Sequence, residues 1–143
     1  MPSTRRHRPD PTTLNRVEPR MPPLRVLVAD DVNDIVESLR LLLELWGHDV
    51  RTARDGAEAV AVAATFRPHV ALLDIIMPRM HGAEAARNIR QRDPDVAVFA
   101  LSATARDHPL LSGYAGVFDD FLGKPLNPGC LQRLLARLAS ARE

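Results

Sequence analysis

The chain of 143 residues has one cysteine, Cys130, and one lysine, Lys124; its other eighteen basic residues are arginines. A single cysteine cannot staple the chain to itself, and nothing else points to an oxidising compartment. Long apolar runs are missing as well, so no membrane-spanning segment is expected. The N-terminal arginines are not followed by an apolar stretch, so no secretory signal is expected and cytoplasmic residence is the default. Net charge is nearly absent, at +1. There is therefore no global pull toward nucleic acid or acidic membranes, and a nucleic-acid partner is not expected. No internal repeat stands out.

The scarcity of lysine makes the retained one informative. Arginine presents a planar fork suited to bidentate pairing, whereas lysine puts a compact ammonium at the end of a flexible stem. A position where only the point charge serves is one where an ammonium meets a carboxylate or a phosphate. Lys124 stands in Asp119-Asp120-Phe121-Leu122-Gly123-Lys124-Pro125.

What is present is enough for one globular domain. At 45% apolar residues the chain can bury a core without disulfides or a structural metal. Met1–Pro23 carries five arginines and half of the twelve prolines, with almost nothing to bury, and reads as a disordered leader. An upstream extension explains it better than a basic arm that touches a partner. The domain is expected over 24–143.

From Leu24 onward strands and helices alternate. Arg25–Ala29 and Val70–Asp74 are short, largely apolar runs, as strands buried on both faces are, and Asp49–Ala53, Val96–Ser102 and Phe118–Gly123 read as the second, fourth and fifth strands. Asn33–Trp46, Gly56–Phe66, Gly82–Arg92 and Pro128–Ala141 carry apolar residues at helical spacing, with Gly47 closing the first. Asp107–Ala115 holds Pro109 and Gly113, so a short or irregular helix is expected there. The pattern predicts an α/β fold, a doubly wound five-stranded parallel sheet with five helices, because parallel neighbours need helical crossovers. Such sheets bind ligands outside the carboxyl ends of their strands.

Five polar groups fall at those ends. The first strand runs into Asp30-Asp31, the third ends on Asp74, the fourth on Ser102, and the fifth leads to Lys124. Clustered acids raise one another's pKa unless a cation compensates. Oxygen ligands with open positions suit Mg²⁺ or Mn²⁺. Each residue alone has a plainer role: Asp31 could cap the helix at Asn33, Asp74 could form a turn, and Ser102 could be a satisfied loop hydroxyl. Their joint occurrence at separate strand ends favours a site.

The stretches Val-Leu-Val-Ala-Asp30-Asp31, Leu-Leu-Asp74-Ile-Ile-Met77-Pro78-Arg-Met-His-Gly82, Leu-Ser102-Ala103 and Phe121-Leu-Gly-Lys124-Pro125 resemble, in order and spacing, a response-regulator receiver domain of bacterial two-component signalling, of the stand-alone or hybrid-kinase type. The resemblance spans Leu24 to about Ala141. It implies a flavodoxin-like strand order of 2-1-3-4-5 and Asp74 as phosphoacceptor, supplied by a histidine kinase or histidine phosphotransfer protein. It further implies a divalent ion held by Asp30, Asp31, Asp74 and the Ile76 carbonyl, with Lys124 paired to Asp74 and Ser102 donating to the phosphoryl group. Phe121 stands at the position of the aromatic switch residue, and the Lys124–Pro125 bond is expected to be cis. The downstream protein target is not implied, and the module is expected to catalyse only its own phosphorylation and dephosphorylation.

Departures from the family pattern are visible. His81 replaces an aspartate in a loop position that is usually exposed, and Phe121 lacks a hydroxyl. Ile76 sets an apolar side chain beside the expected phosphate. Trp46 reads as core, Cys130 as half-buried, and Arg87, Arg90 and Arg92 as a solvated run; the histidines share no ligand spacing. One alternative function is a Mg²⁺-dependent phosphatase with an aspartyl-phosphate intermediate, although Asp74 begins no Asp-x-Asp. The other is a scaffold indifferent to phosphorylation.

Overall fold

The structure is a computed structural model that describes residues 22–102 and 109–141. Five strands form one parallel sheet in the order β2-β1-β3-β4-β5: β1 Arg25–Ala29, β2 Asp49–Ala53, β3 Val70–Asp74, β4 Ala97–Ser102 and β5 Asp120–Gly123. The helices are α1 Asn33–Leu45, α2 Gly56–Phe66, α3 Gly82–Arg92 and α4 Pro128–Ala141. Fold class and strand order agree with the sequence reading. The leader expected over Met1–Pro23 lies outside the described residues except for Pro22 and Pro23.

Side chains of a strand alternate between its two faces, and the core divides accordingly. Leu27 and Ala29 of β1 and Ala71 and Leu73 of β3 pack with Ala59, Ala63, Ala83, Ala86 and Ile89 of α2 and α3. Val26, Val28, Val70 and Leu72 pack on the opposite face with Leu39 and Leu43 of α1 and Leu131 and Leu135 of α4. Trp46 belongs to that second layer, 8% exposed, as the sequence reading has it. α1 stops at Leu45, and Gly47 takes a positive φ of 97° just beyond.

The short or irregular helix expected over Asp107–Ala115 is reduced, among the described residues, to less than a full α-helix. Within the described residues that segment holds one 3-10 turn, Pro109–Leu111, so the sheet carries four α-helices among the described residues rather than five. The chain then makes further tight turns, with Tyr114 N–H donating to the Leu111 carbonyl at 2.9 Å and Val117 N–H to that of Tyr114 at 3.2 Å. Gly113 and Gly116 sit at φ of 84° and 77°, which breaks the helical run that Pro109 could otherwise have begun.

This segment is fastened to α3 rather than loose. The His81 ring meets Tyr114 edge-on, with centroids 5.2 Å apart, and the Arg87 guanidinium lies over the same tyrosine at 4.6 Å. Arg90 donates to the Val117 carbonyl at 3.2 Å and to Asp119 Oδ2 at 2.9 Å. Arg87 is exposed, as the sequence reading has it, whereas Arg90 is half-buried by these contacts.

Candidate functional site

Strand register brings the acids to one level. Ala29 pairs with Leu73, so the next residues, Asp30 and Asp74, leave neighbouring strands side by side. Asp74 in turn pairs with Leu101, which puts Ser102 one step beyond it on β4. Ser102 pairs with Gly123, and Lys124 follows; its N–H donates to the Ser102 carbonyl at 3.1 Å. The Lys124–Pro125 bond is cis, as the resemblance implies.

The side chains converge from these positions. Asp30, Asp31 and Asp74 each offer an oxygen, and these atoms lie within 4.8 Å of one another. Asp30 is fully buried, Asp74 nearly so at 8%, and Asp31 is exposed. The simpler role for Asp31 fails: Val32 is the N-cap of α1 and receives no side-chain cap. Asp30 Oδ1 instead accepts the Val32 N–H at 3.0 Å. Asp31 is the exposed member of the cluster, and Asp30 and Asp74 are the buried ones.

Lys124 closes the arrangement, with a partner that sequence spacing did not identify. Its Nζ lies 2.7 Å from Asp30 Oδ2 and 3.3 Å from Asp74 Oδ1, so the shorter contact is to Asp30. Burial opposes its positive charge, but the hydrogen bond to Asp30 and the charges of both acids outweigh that and raise its pKa. Asp74 is pushed the unfavourable way, up to about 6, first by burial and then by the Asp30 charge; Lys124 and the Ile76 N–H act against the rise. One ammonium between buried acids leaves negative charge uncompensated, which is the condition a divalent cation relieves.

Ser102 is buried at the end of β4. Ile76 is 53% exposed, two residues past Asp74. Phe121 is half-buried and packs edge-on against Phe118 at 5.5 Å between centroids. His81 is not a neutral exposed position: it is half-buried, and its Nδ1 accepts the Glu84 N–H at 3.2 Å as the N-cap of α3. Cys130, expected half-buried, is exposed at the start of α4, next to the fully buried Leu131.

Sequence reasoning passed over two glycines that shape the loop after Asp74. A Cβ on Gly82 would stand 2.1 Å from the Asp74 carbonyl oxygen, and one on Gly56 would stand 2.0 Å from that of Met80. Both clashes are with backbone, so only glycine lets α2 and α3 begin this close to the loop. The Asp55-Gly56 pair ahead of an alanine-rich helix was the available signal. It marks a helix start, and it says nothing of what the helix start touches.

Comparison with known proteins agrees with this geometry. A family model described as the response regulator receiver domain matches residues 26–136. The response regulator MprA of Mycobacterium sp. (strain KMS) is 38% identical over 116 residues, covering 81% of this chain and 49% of that protein. Its counterpart in Mycobacterium avium (strain 104) is 37% identical over 115 residues, covering 80% and 49%. The chain thus spans about half the length of these curated relatives. Among solved structures, a CheY-like receiver domain protein of Methanospirillum hungatei superposes with a TM-score of 0.73 at 26% identity, covering 82% of this chain and 94% of that one. The receiver domain of a sensor histidine kinase of Pseudomonas aeruginosa, solved with a magnesium ion coordinated in its active-site cleft, gives 0.72 at 28%, covering 83% and 99%. No helix among the described residues is long and apolar enough to cross a membrane. The strand order, the acid cluster and these matches lead to one assignment: the chain belongs to the response regulator receiver domain family.

Proposed function

We propose that this receiver takes a phosphoryl group onto Asp74 from a phosphohistidine of a histidine kinase or phosphotransfer protein, and that the modification alters its contacts with another protein. The observation that carries the reading is the placement of Lys124 Nζ at 2.7 Å from Asp30 and 3.3 Å from Asp74, beside a third carboxylate.

In this reading an Asp74 carboxylate oxygen attacks phosphorus, the new O–P bond forms as the P–N bond breaks, and the imidazole leaves with the electron pair. Such transfers need little covalent help from the protein; positioning and charge neutralisation are most of the task. Lys124 supplies a fixed ammonium beside the acceptor oxygen, and Ser102 supplies a hydroxyl for a phosphoryl oxygen. The residues that would hold Mg²⁺, or Mn²⁺ in its place, are Asp30, Asp31 and Asp74 with the Ile76 carbonyl; the bound ion would neutralise phosphoryl charge. The oxygen-only donor set fits those hard cations, and the magnesium in the cleft of the Pseudomonas neighbour supports the choice. Phosphorylation adds roughly −1.5 to −2 charges at pH 7, by analogy with other phosphorylated side chains. Ser102 is drawn toward that charge, Phe121 turns inward from its contact with Phe118, and the equilibrium between two packings of this face shifts.

The chain on this reading is no enzyme toward other substrates and acts in the cytoplasm. Protein contacts, not nucleic acid, carry its output. The phosphatase alternative lacks its Asp-x-Asp, since Ile75 and Ile76 follow Asp74. A phosphorylation-indifferent scaffold would not need the buried ion-pair cluster. The deciding experiment is phosphotransfer from candidate kinases to wild type and Asp74→Ala, followed by capture of partners in both states. The reading expects labelling of wild type alone, with a partner set that differs between states. A label that persists in Asp74→Ala would overturn it.

A further inference from the structure

The loop that leaves β3 is held by a residue five positions past Asp74. Arg79 has a φ of 66°, a conformation that costs any residue with a Cβ and persists where the surroundings demand it. Here the surroundings are specific. Arg79 Nε donates to Asp55 Oδ2 at 3.0 Å, and Nη2 reaches the same oxygen. Asp55 is 3% exposed, and its other oxygen accepts the Glu58 N–H at 2.8 Å as the cap of α2. The Glu58 N–H and then the Arg79 guanidinium hold its carboxyl below the ordinary carboxylate range. Beside it, Gly56 lets the Met80 carbonyl rest against the first turn of α2. The far end of the loop is fixed by the Gly82 N–H, which donates to the Ile75 carbonyl at 2.8 Å. Between these anchors lies the Ile76 peptide, whose N–H faces the Asp74 carboxylate.

We propose that Arg79 and Asp55 form a clamp that sets the position of the Ile76 peptide, so that divalent-metal affinity at Asp30, Asp31 and Asp74 depends on an ion pair that touches neither metal nor phosphoryl group. Arg79 is then a positioning residue. The inference rests on the metal-site reading given above and adds to it a dependence on the β2–α2 corner.

The sign of the effect separates the clamp from simple electrostatics. Removing a cation near an acidic site tightens the binding of a divalent ion through space, whereas loosening the clamp weakens it. Arg79→Gln, Asp55→Asn and the double variant are compared with wild type. Asparagine caps a helix about as well as aspartate, so the conservative change keeps α2. Mn²⁺ binding is titrated by electron paramagnetic resonance of the free ion, and thermal unfolding is recorded without metal. Each single variant is expected to bind Mn²⁺ roughly three- to tenfold more weakly, the range for residues that act through a neighbour. The double variant should be no weaker than the singles, because both changes break one contact. The clamp is overturned if Arg79→Gln binds as tightly as wild type or tighter. Additive losses, or losses that follow thermal stability across the three variants, overturn it too. Wild type that binds no Mn²⁺ sinks the metal-site reading and the clamp together; wild type that binds, with unaffected variants, sinks the clamp alone.

Discussion

Burial and the neighbouring Asp30 charge together push the Asp74 carboxyl up to about 6, although Lys124 and the Ile76 N–H pull the other way. In the unfolded chain the same group titrates near 3.8. Between those values the native state binds more protons than the unfolded state. Stability therefore falls as pH rises through this window and returns on acidification. The gap corresponds to on the order of 3 kcal/mol. Metal-free Asp74→Asn is thus expected to be about 2–3 kcal/mol more stable than wild type at pH 7, with the advantage shrinking toward pH 4. Urea titrations across that range check it, and a gap independent of pH would contradict it. His48 has the opposite sign: burial lowers its pKa, so its contribution is lost as pH falls below about 6.5. Both proteins carry His48, so comparing them cancels it. Ile76 bears on a rate instead. An apolar side chain beside the acceptor orients a hydrolytic water poorly, so Ile76→Asn should shorten the phosphorylated lifetime; a slower decay in the variant would refute this.

At the scale of elements, α3 meets the end of β3 at its first residue and carries the 109–117 segment along its side. Its first residue, Gly82, lies against the last residue of β3, and a methyl group there has no space to relax into because the obstacle is the Asp74 carbonyl. Gly82→Ala should cost roughly 1–3 kcal/mol, the usual penalty of overpacking, and should weaken phosphorylation along with stability. Chemical denaturation and acetyl-phosphate labelling on one preparation would show both; a variant as stable as wild type would mean that α3 is free to shift. The strands and most helices were legible because β-branched runs and helical spacing report local burial. The 3-10 segment was legible only as a weakness at Pro109 and Gly113. What fastens it, Arg87 and Arg90 to Tyr114, Val117 and Asp119, joins residues about 27 apart or more, and no local pattern carries that.

Taken as a whole, the molecule shows which parts of a site a sequence can give. Strand register follows from the fold class, so acids at the ends of β1 and β3 had to stand near one another, and an ammonium after β5 had to face them. Register sets the level of a side chain but not its nearest neighbour, which is why Lys124 turned out closer to Asp30 than to Asp74. The Asp55–Arg79 pair was illegible for the same reason: its members belong to different loops, and each has a plain local role. The most direct test of the central claim is the intact mass of the protein after incubation with acetyl phosphate, with and without Mg²⁺, for wild type and Asp74→Asn. The account predicts one added phosphoryl group on wild type with Mg²⁺, little without it and none on the variant. No addition to wild type, or an equal addition to Asp74→Asn, would contradict it.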